Sequence, residues 1–130
     1  LIDKDGNLLG NPVCYRDART DRMPTEVFKF LNEQQHYADT GIQVMAINTL
    51  FQLYSMKKSK DAQLDAAQRL LFMPDLFSYF LTGIANNEYC IASNYSMHGN
   101  EHGLYLPFVH SDFPNTCSAK SSIRVLSEEL

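Results

Sequence analysis

Residues 48–58, NTLFQLYSMKK, constrain this chain most, because Leu50, Leu53, Tyr54 and Met56 recur at helical spacing and form an apolar stripe. Thr49 and Gln52 stand at the spacing of a capping box, which predicts a helix starting there. Such a stripe must be covered, and the flanking sequence supplies helical segments to cover it. In EVFKFLNE, Val27, Phe28 and Leu31 share a face, with Thr25 as the expected cap. A helical turn through QQHYADTG is expected to stop at Gly41. Ser59 or Asp61 opens AQLDAAQRLLF, whose Leu64, Ala67, Leu70 and Leu71 fall together. MPDLFSYFLTG then carries Pro74 and Asp75 in a first turn and Gly83 as a stop.

Both ends of this helical run read differently. LIDKDGNLLGNPVCY sets apolar runs on either side of Asp5-Gly6, a turn pair suited to a hairpin with strands Leu1 to Asp3 and Leu8 to Tyr15. Pro12 cannot donate to a ladder, so a bulge or break is expected there. NEYCIASNYSM returns to strand-like composition. The fold class is therefore α+β: a β-hairpin, about four helices and a returning strand. From His98 to Leu130 no period is sustained until SIRVLSEEL.

With 130 residues, 45% apolar and 20% charged, the chain is sized and composed for one modest folded domain. A net charge of −4, with no compensating basic cluster, excludes a nucleic-acid or anionic-lipid footprint and points to a small-molecule or protein partner. No apolar run reaches membrane-spanning length. Cys14, Cys90 and Cys117 lie far apart without ligand spacing, as expected of reduced, partly buried thiols in a cytoplasmic protein. The chain opens on Leu1 in what reads as a strand already under way, as a piece of a longer protein would.

Few residues announce chemistry. His98, Glu101 and His102 in HGNEH superficially match a zinc-protease pattern, but the order is wrong and Gly99 and Gly103 oppose the helix it needs, so no metal site is expected. No phosphate-cradling glycine loop and no nucleophile elbow occurs. Asp17, Asp75 and Glu88 suit acid or base work only if folding gathers them, and Asp75 after a proline reads first as a helix cap. YRDART, residues 15–20, crowds Tyr15, Arg16, Asp17 and Arg19 at a strand's end. Those residues fit a charged turn or the wall of a polar pocket equally well.

Several motifs in register carry a resemblance. GNPVCYRDART, TGIQVMAINTLFQLYSM, LLFMPDLFSYFLTG and NEYCIAS occur in the order and approximate spacing of the FGGY carbohydrate kinases, and look most like the rhamnulokinases among them. The resemblance covers residues 1–97, and residues 98–130 do not match the family pattern. It implies ATP- and magnesium-dependent phosphorylation of L-rhamnulose to L-rhamnulose 1-phosphate, in L-rhamnose breakdown in the bacterial cytoplasm. It also implies a fragment of the first of two ribonuclease-H-like, actin-like domains, the one that holds the sugar, with a helical insertion nearby. Tyr15 matches an aromatic position lining the sugar pocket, and Tyr89 a tyrosine that contacts the polyol in related kinases. Arg16 and Asp17 are expected to meet sugar hydroxyls or orient the aromatic wall, and Arg19 to be structural.

The family's phosphate loop is expected upstream of Leu1 and its catalytic aspartate beyond Leu130, so no catalytic residue is carried over and the isolated chain is expected to be inactive. Cys90 and Ile91 replace a polar pair usual in relatives. The alternatives are a noncatalytic sugar-binding or structural module, or a kinase for another ketose or polyol such as xylulose or glycerol. Expected partners are the sugar, the remainder of the parent kinase and, for the isolated piece, other copies of itself.

Overall fold

The computed structural model describes residues 1–88 and residue 91. A 3-10 turn at Ala18–Thr20 precedes five helices: α1 Met23–Val27, α2 Glu33–Thr40, α3 Thr49–Lys58, α4 Ala62–Ala66 and α5 Met73–Thr82. No helix among the described residues is long and apolar enough to cross a membrane.

α3 is the centre of the packing. Six of its ten residues are buried, which one stripe does not explain; it is covered on two sides. On one side Leu50, Phe51 and Tyr54 pack with Met23 and Val27 of α1, and Phe28, Leu31 and Val44 close the cluster. Phe51 is 1% exposed and meets Phe28 edge to face, 5.9 Å between ring centroids. On the other side Leu53 and Met56 pack with Leu64, Ala67, Leu70 and Phe72. A third cluster, Ile2, Leu71 and Leu76, joins the chain's start to α5.

The start of the chain turns as expected but does not build two strands. Gly6 takes a φ of 85°, and Asp3 N–H and Leu9 N–H donate across the turn to Asn7 and Leu1. The described residues nonetheless hold only isolated bridges, from Ile2 to Leu8 and to Arg69. Pairing across the turn ends at Leu9 N–H to Leu1 O, before Pro12 is reached, and residues 11–18 lie exposed. Ile2 O instead accepts from Gln68 and Arg69 N–H, at 2.8 and 3.2 Å. That pairing draws the chain out of α4, so the longer helix read through AQRLLF ends at Ala66. Tyr79 Oη donates to Gly6 O at 2.7 Å and pins the turn to α5; a Cβ at Gly6 would lie 2.5 Å from that hydroxyl. The returning strand through NEYCIASNYSM lies outside the described residues apart from Glu88, Asn87 and Ile91.

Helix starts shift for identifiable reasons. Pro24 sits in the first turn of α1, so Thr25 is inside that helix and not its cap. Asn32 divides EVFKFLNE from α2 by accepting the Gln35 N–H at 2.9 Å. Gly41, at φ 67°, and Gly83, at φ 72°, end α2 and α5. Thr49 and Gln52 form no capping box: Asn48 is the cap residue, its Oδ1 takes Met45 N–H at 2.7 Å, and Gln52 points elsewhere.

Asp75 is buried in the first turn of α5, where its Oδ1 accepts Glu88 N–H at 3.2 Å. Burial raises its pKa, the neighbouring Glu88 charge adds to the rise, and the N–H groups of Glu88 and Phe72 oppose it. Asp3 shifts the other way, chiefly through the Asn7 backbone N–H, and so does Glu26, chiefly through its hydrogen bond from Lys58.

Phe51→Ala is expected to cost about 3–5 kcal/mol, as for other fully buried phenylalanines, and to abolish a cooperative urea transition or shift it to low denaturant. Because folding raises the Asp75 pKa, its contribution is fully present below the unfolded pKa and is lost as pH rises through the folded one. Asp75→Asn keeps an acceptor for Glu88 N–H and removes that loss. Melting temperatures across the acid range are therefore expected to fall less with rising pH in the variant than in the unaltered chain.

Candidate sugar site

YRDART is a tied loop. Asp17 N–H donates to Cys14 O at 3.0 Å, and Asp17 Oδ1 accepts Arg19 N–H at 2.9 Å, which starts the 3-10 turn. Arg19 then donates from Nε and Nη2 to Gln52 Oε1, at 2.9 and 2.6 Å. Gln52 Nε2 in turn reaches Tyr15 O at 3.4 Å. One carboxamide on α3 thus holds both ends of the loop.

Each predicted residue has a distinct place. Tyr15 stands 52% exposed at the edge of a cavity of about 630 Å³. Arg16 donates from Nε to Tyr15 Oη at 3.0 Å, and its guanidinium lies 5.3 Å from the Tyr15 ring centroid. It braces the ring and does not line the cavity. Asp17 also stays out of the cavity wall, and its hydrogen bonds remain within its own turn. Tyr89 lies outside the described residues. Arg19, expected to be structural, is both a tie and part of the wall.

The cavity has an apolar floor and a polar margin. Leu53, Met56, Leu70 and Phe72 supply the floor, so the surface that covers α3 also shapes the cavity. Asn11, Tyr15, Arg19, Thr49, Gln52, Asp61 and Gln63 supply the polar groups. Few polar groups converging on an apolar hollow suit a small ligand with both hydroxyls and C–H faces. Sequence reading missed Asn11, Gln52 and Gln63 as wall residues. Gln52 did leave a signal, as a lone amide between Phe51 and Leu53 in a helix buried on two sides.

The acid and base candidates are only partly gathered. Asp75 and Glu88 meet through the Glu88 N–H, while Asp17 bonds within its own loop. Among the described residues no group of three His, Cys, Asp or Glu side chains could hold a metal ion. The histidines of HGNEH and His110 lie outside them. Cys14 is a free thiol that is exposed at the cavity's edge, not partly buried as expected, because residues 11–18 do not pair into a strand.

Residues 1–105 match the N-terminal domain of the FGGY family of carbohydrate kinases. Over 93 residues, 72% of this chain, it is 48% identical to a rhamnulokinase of Bacteroides thetaiotaomicron, of which it covers 19%. It is 42% identical over the same length to rhamnulokinases of Pectobacterium atrosepticum and Enterococcus faecalis, covering 19% and 18% of them. The chain thus spans about a fifth of the length of the curated relatives it matches. On the match over residues 1–105, the chain belongs to the FGGY family of carbohydrate kinases, through its N-terminal domain.

Proposed function

We propose that this chain is the sugar-holding portion of a rhamnulokinase, which phosphorylates L-rhamnulose with ATP to L-rhamnulose 1-phosphate in the bacterial cytoplasm. The observation that carries the reading is the cavity edged by Tyr15 and braced through Gln52, in a chain similar to rhamnulokinases in three distinct bacteria. A ring at the edge of an apolar hollow can lie against the C–H face of a ketose while its hydroxyl meets the sugar's polar side. L-Rhamnulose ends in a methyl group, which suits the floor of Leu53, Met56 and Leu70.

Within this proposal Tyr15 contacts the sugar, and Tyr89 belongs to the same set by its place in NEYCIAS. Arg16 acts through Tyr15 by holding the ring, and Asp17 shapes the turn that presents it. The sugar side is assigned to residues 1–97, within the family match over residues 1–105. ATP and magnesium belong to the parent reaction, in which magnesium neutralises charge on the transferring phosphoryl group. The described residues do not fit either: they gather no metal-holding cluster, and the sequence has no phosphate-cradling glycine loop. The chain's own contribution is therefore to bind and orient the sugar, with no phosphoryl-transfer step assigned to any of its residues. The outward apolar side chains Phe77, Phe80 and Leu81 of α5, with Ile84 just beyond it, support contact with the remainder of a parent kinase.

Isothermal titration tests the reading. L-Rhamnulose is expected to bind the chain, and both Tyr15→Ala and Gln52→Leu to weaken it about tenfold, the first by removing the ring and the second by releasing the loop. Absence of binding to the unaltered chain contradicts a retained sugar site. In a coupled assay with ATP and magnesium the chain alone is expected to turn over no L-rhamnulose, and turnover would contradict the division of labour.

A further inference from the structure

The cavity has a second polar wall at some distance from Tyr15. Gln63, near the start of α4, lines it, and its carboxamide has no hydrogen-bond partner among the described residues. Gly10 faces that carboxamide closely: a Cβ at Gly10 would lie 3.0 Å from Oε1 and 3.1 Å from Nε2. Asn11 lines the cavity beside it, again with no hydrogen-bond partner for its side chain among the described residues. Gly10 and Tyr15, five residues apart in sequence, line the same cavity.

The chemistry of this wall selects the kind of group it receives. A carboxamide offers a donor and an acceptor side by side, the pairing that neighbouring hydroxyls on a sugar require. Asp61, whose Oδ1 accepts the Gln63 backbone N–H at 2.9 Å, puts a carboxylate on the same cavity. That carboxylate disfavours anions at this wall, while the Arg19 guanidinium that also lines the cavity is held by Gln52 beside Tyr15. We propose that Gln63, given room by Gly10, is a specificity-determining contact that takes vicinal hydroxyls of the ketose. This rests on the sugar-site reading above and adds a second polar contact to the Tyr15 wall.

Titration of the full chain with L-rhamnulose tests it, using Gln63→Leu and Gly10→Ala. Gln63→Leu removes both hydrogen-bonding atoms and is expected to weaken binding about tenfold. Gly10→Ala keeps the amide but displaces it by a few tenths of an ångström, and because its contact is with a flexible side-chain end the fold is retained; a smaller weakening than that of Gln63→Leu is expected. Thermal melts by circular dichroism confirm that each variant is folded. Inorganic phosphate, titrated alone, is expected to give no heat that depends on Gln63. If Tyr15→Ala weakens binding while Gln63→Leu and Gly10→Ala leave it unchanged, this contact is overturned and the sugar site stands. Heat from phosphate that is lost in Gln63→Leu overturns the assignment to a neutral group. If the unaltered chain binds no L-rhamnulose, the sugar-site reading falls and takes this contact with it.

Discussion

The Gln52 carboxamide ties together segments that are 33 and 37 residues apart in sequence, taking two donors from Arg19 and giving one to Tyr15 O. Charge-assisted bonds from a guanidinium are stronger than those between neutral groups, and this pair is part-buried. Without it the loop from Tyr15 to Thr20 has Asp17's short-range bonds and the buried Thr20 to define it, and Arg16 still braces the Tyr15 ring, but the Tyr15 backbone loses its tie to α3. The position of the candidate sugar wall therefore depends on a helix in the core. Packing of α3 and geometry of the site are one problem.

That dependence explains why α3 is buried on two sides. Its Phe51 side joins α1, which immediately follows the loop, and its Leu53 side forms the cavity floor. The first set of contacts fixes where the loop leaves the core, and the second fixes what lies beneath the bound group. Interiors packed at close to crystalline density transmit small shifts, so a rotation of α3 would move floor and wall together. The chain's start is held to α5 and to the stretch after α4 through the Tyr79 hydroxyl and Ile2, which places Gly10 near Gln63.

Much of this was legible from residue type and spacing. The stripe of α3, the glycine stops at Gly41 and Gly83 and the turn at Gly6 follow from local rules, and each is present. What local rules did not reach was competition from distant groups. Gln52 had a capping partner at the right spacing, yet a guanidinium 33 residues away took its oxygen. AQRLLF had helical periodicity, yet Ile2 drew Gln68 and Arg69 into bridge pairing. The strand through Tyr15 had apolar residues, yet its pairing among the described residues ends at Leu9, opposite Leu1. At the site, Tyr15 stood out as an aromatic beside charge, while Gln63 is an ordinary polar residue of a short helix whose place emerges only from its closeness to Gly10.

Side-chain amide spectra of the nitrogen-15-labelled chain, recorded while L-rhamnulose is added, test the central claim most directly. The account predicts saturable shifts of the Gln52 carboxamide and the Arg19 Nε–H, together with the backbone N–H of Tyr15, and no comparable change on the outer face of α5. Shifts confined to α5, or none at Gln52 and Arg19 at saturating sugar, would contradict it.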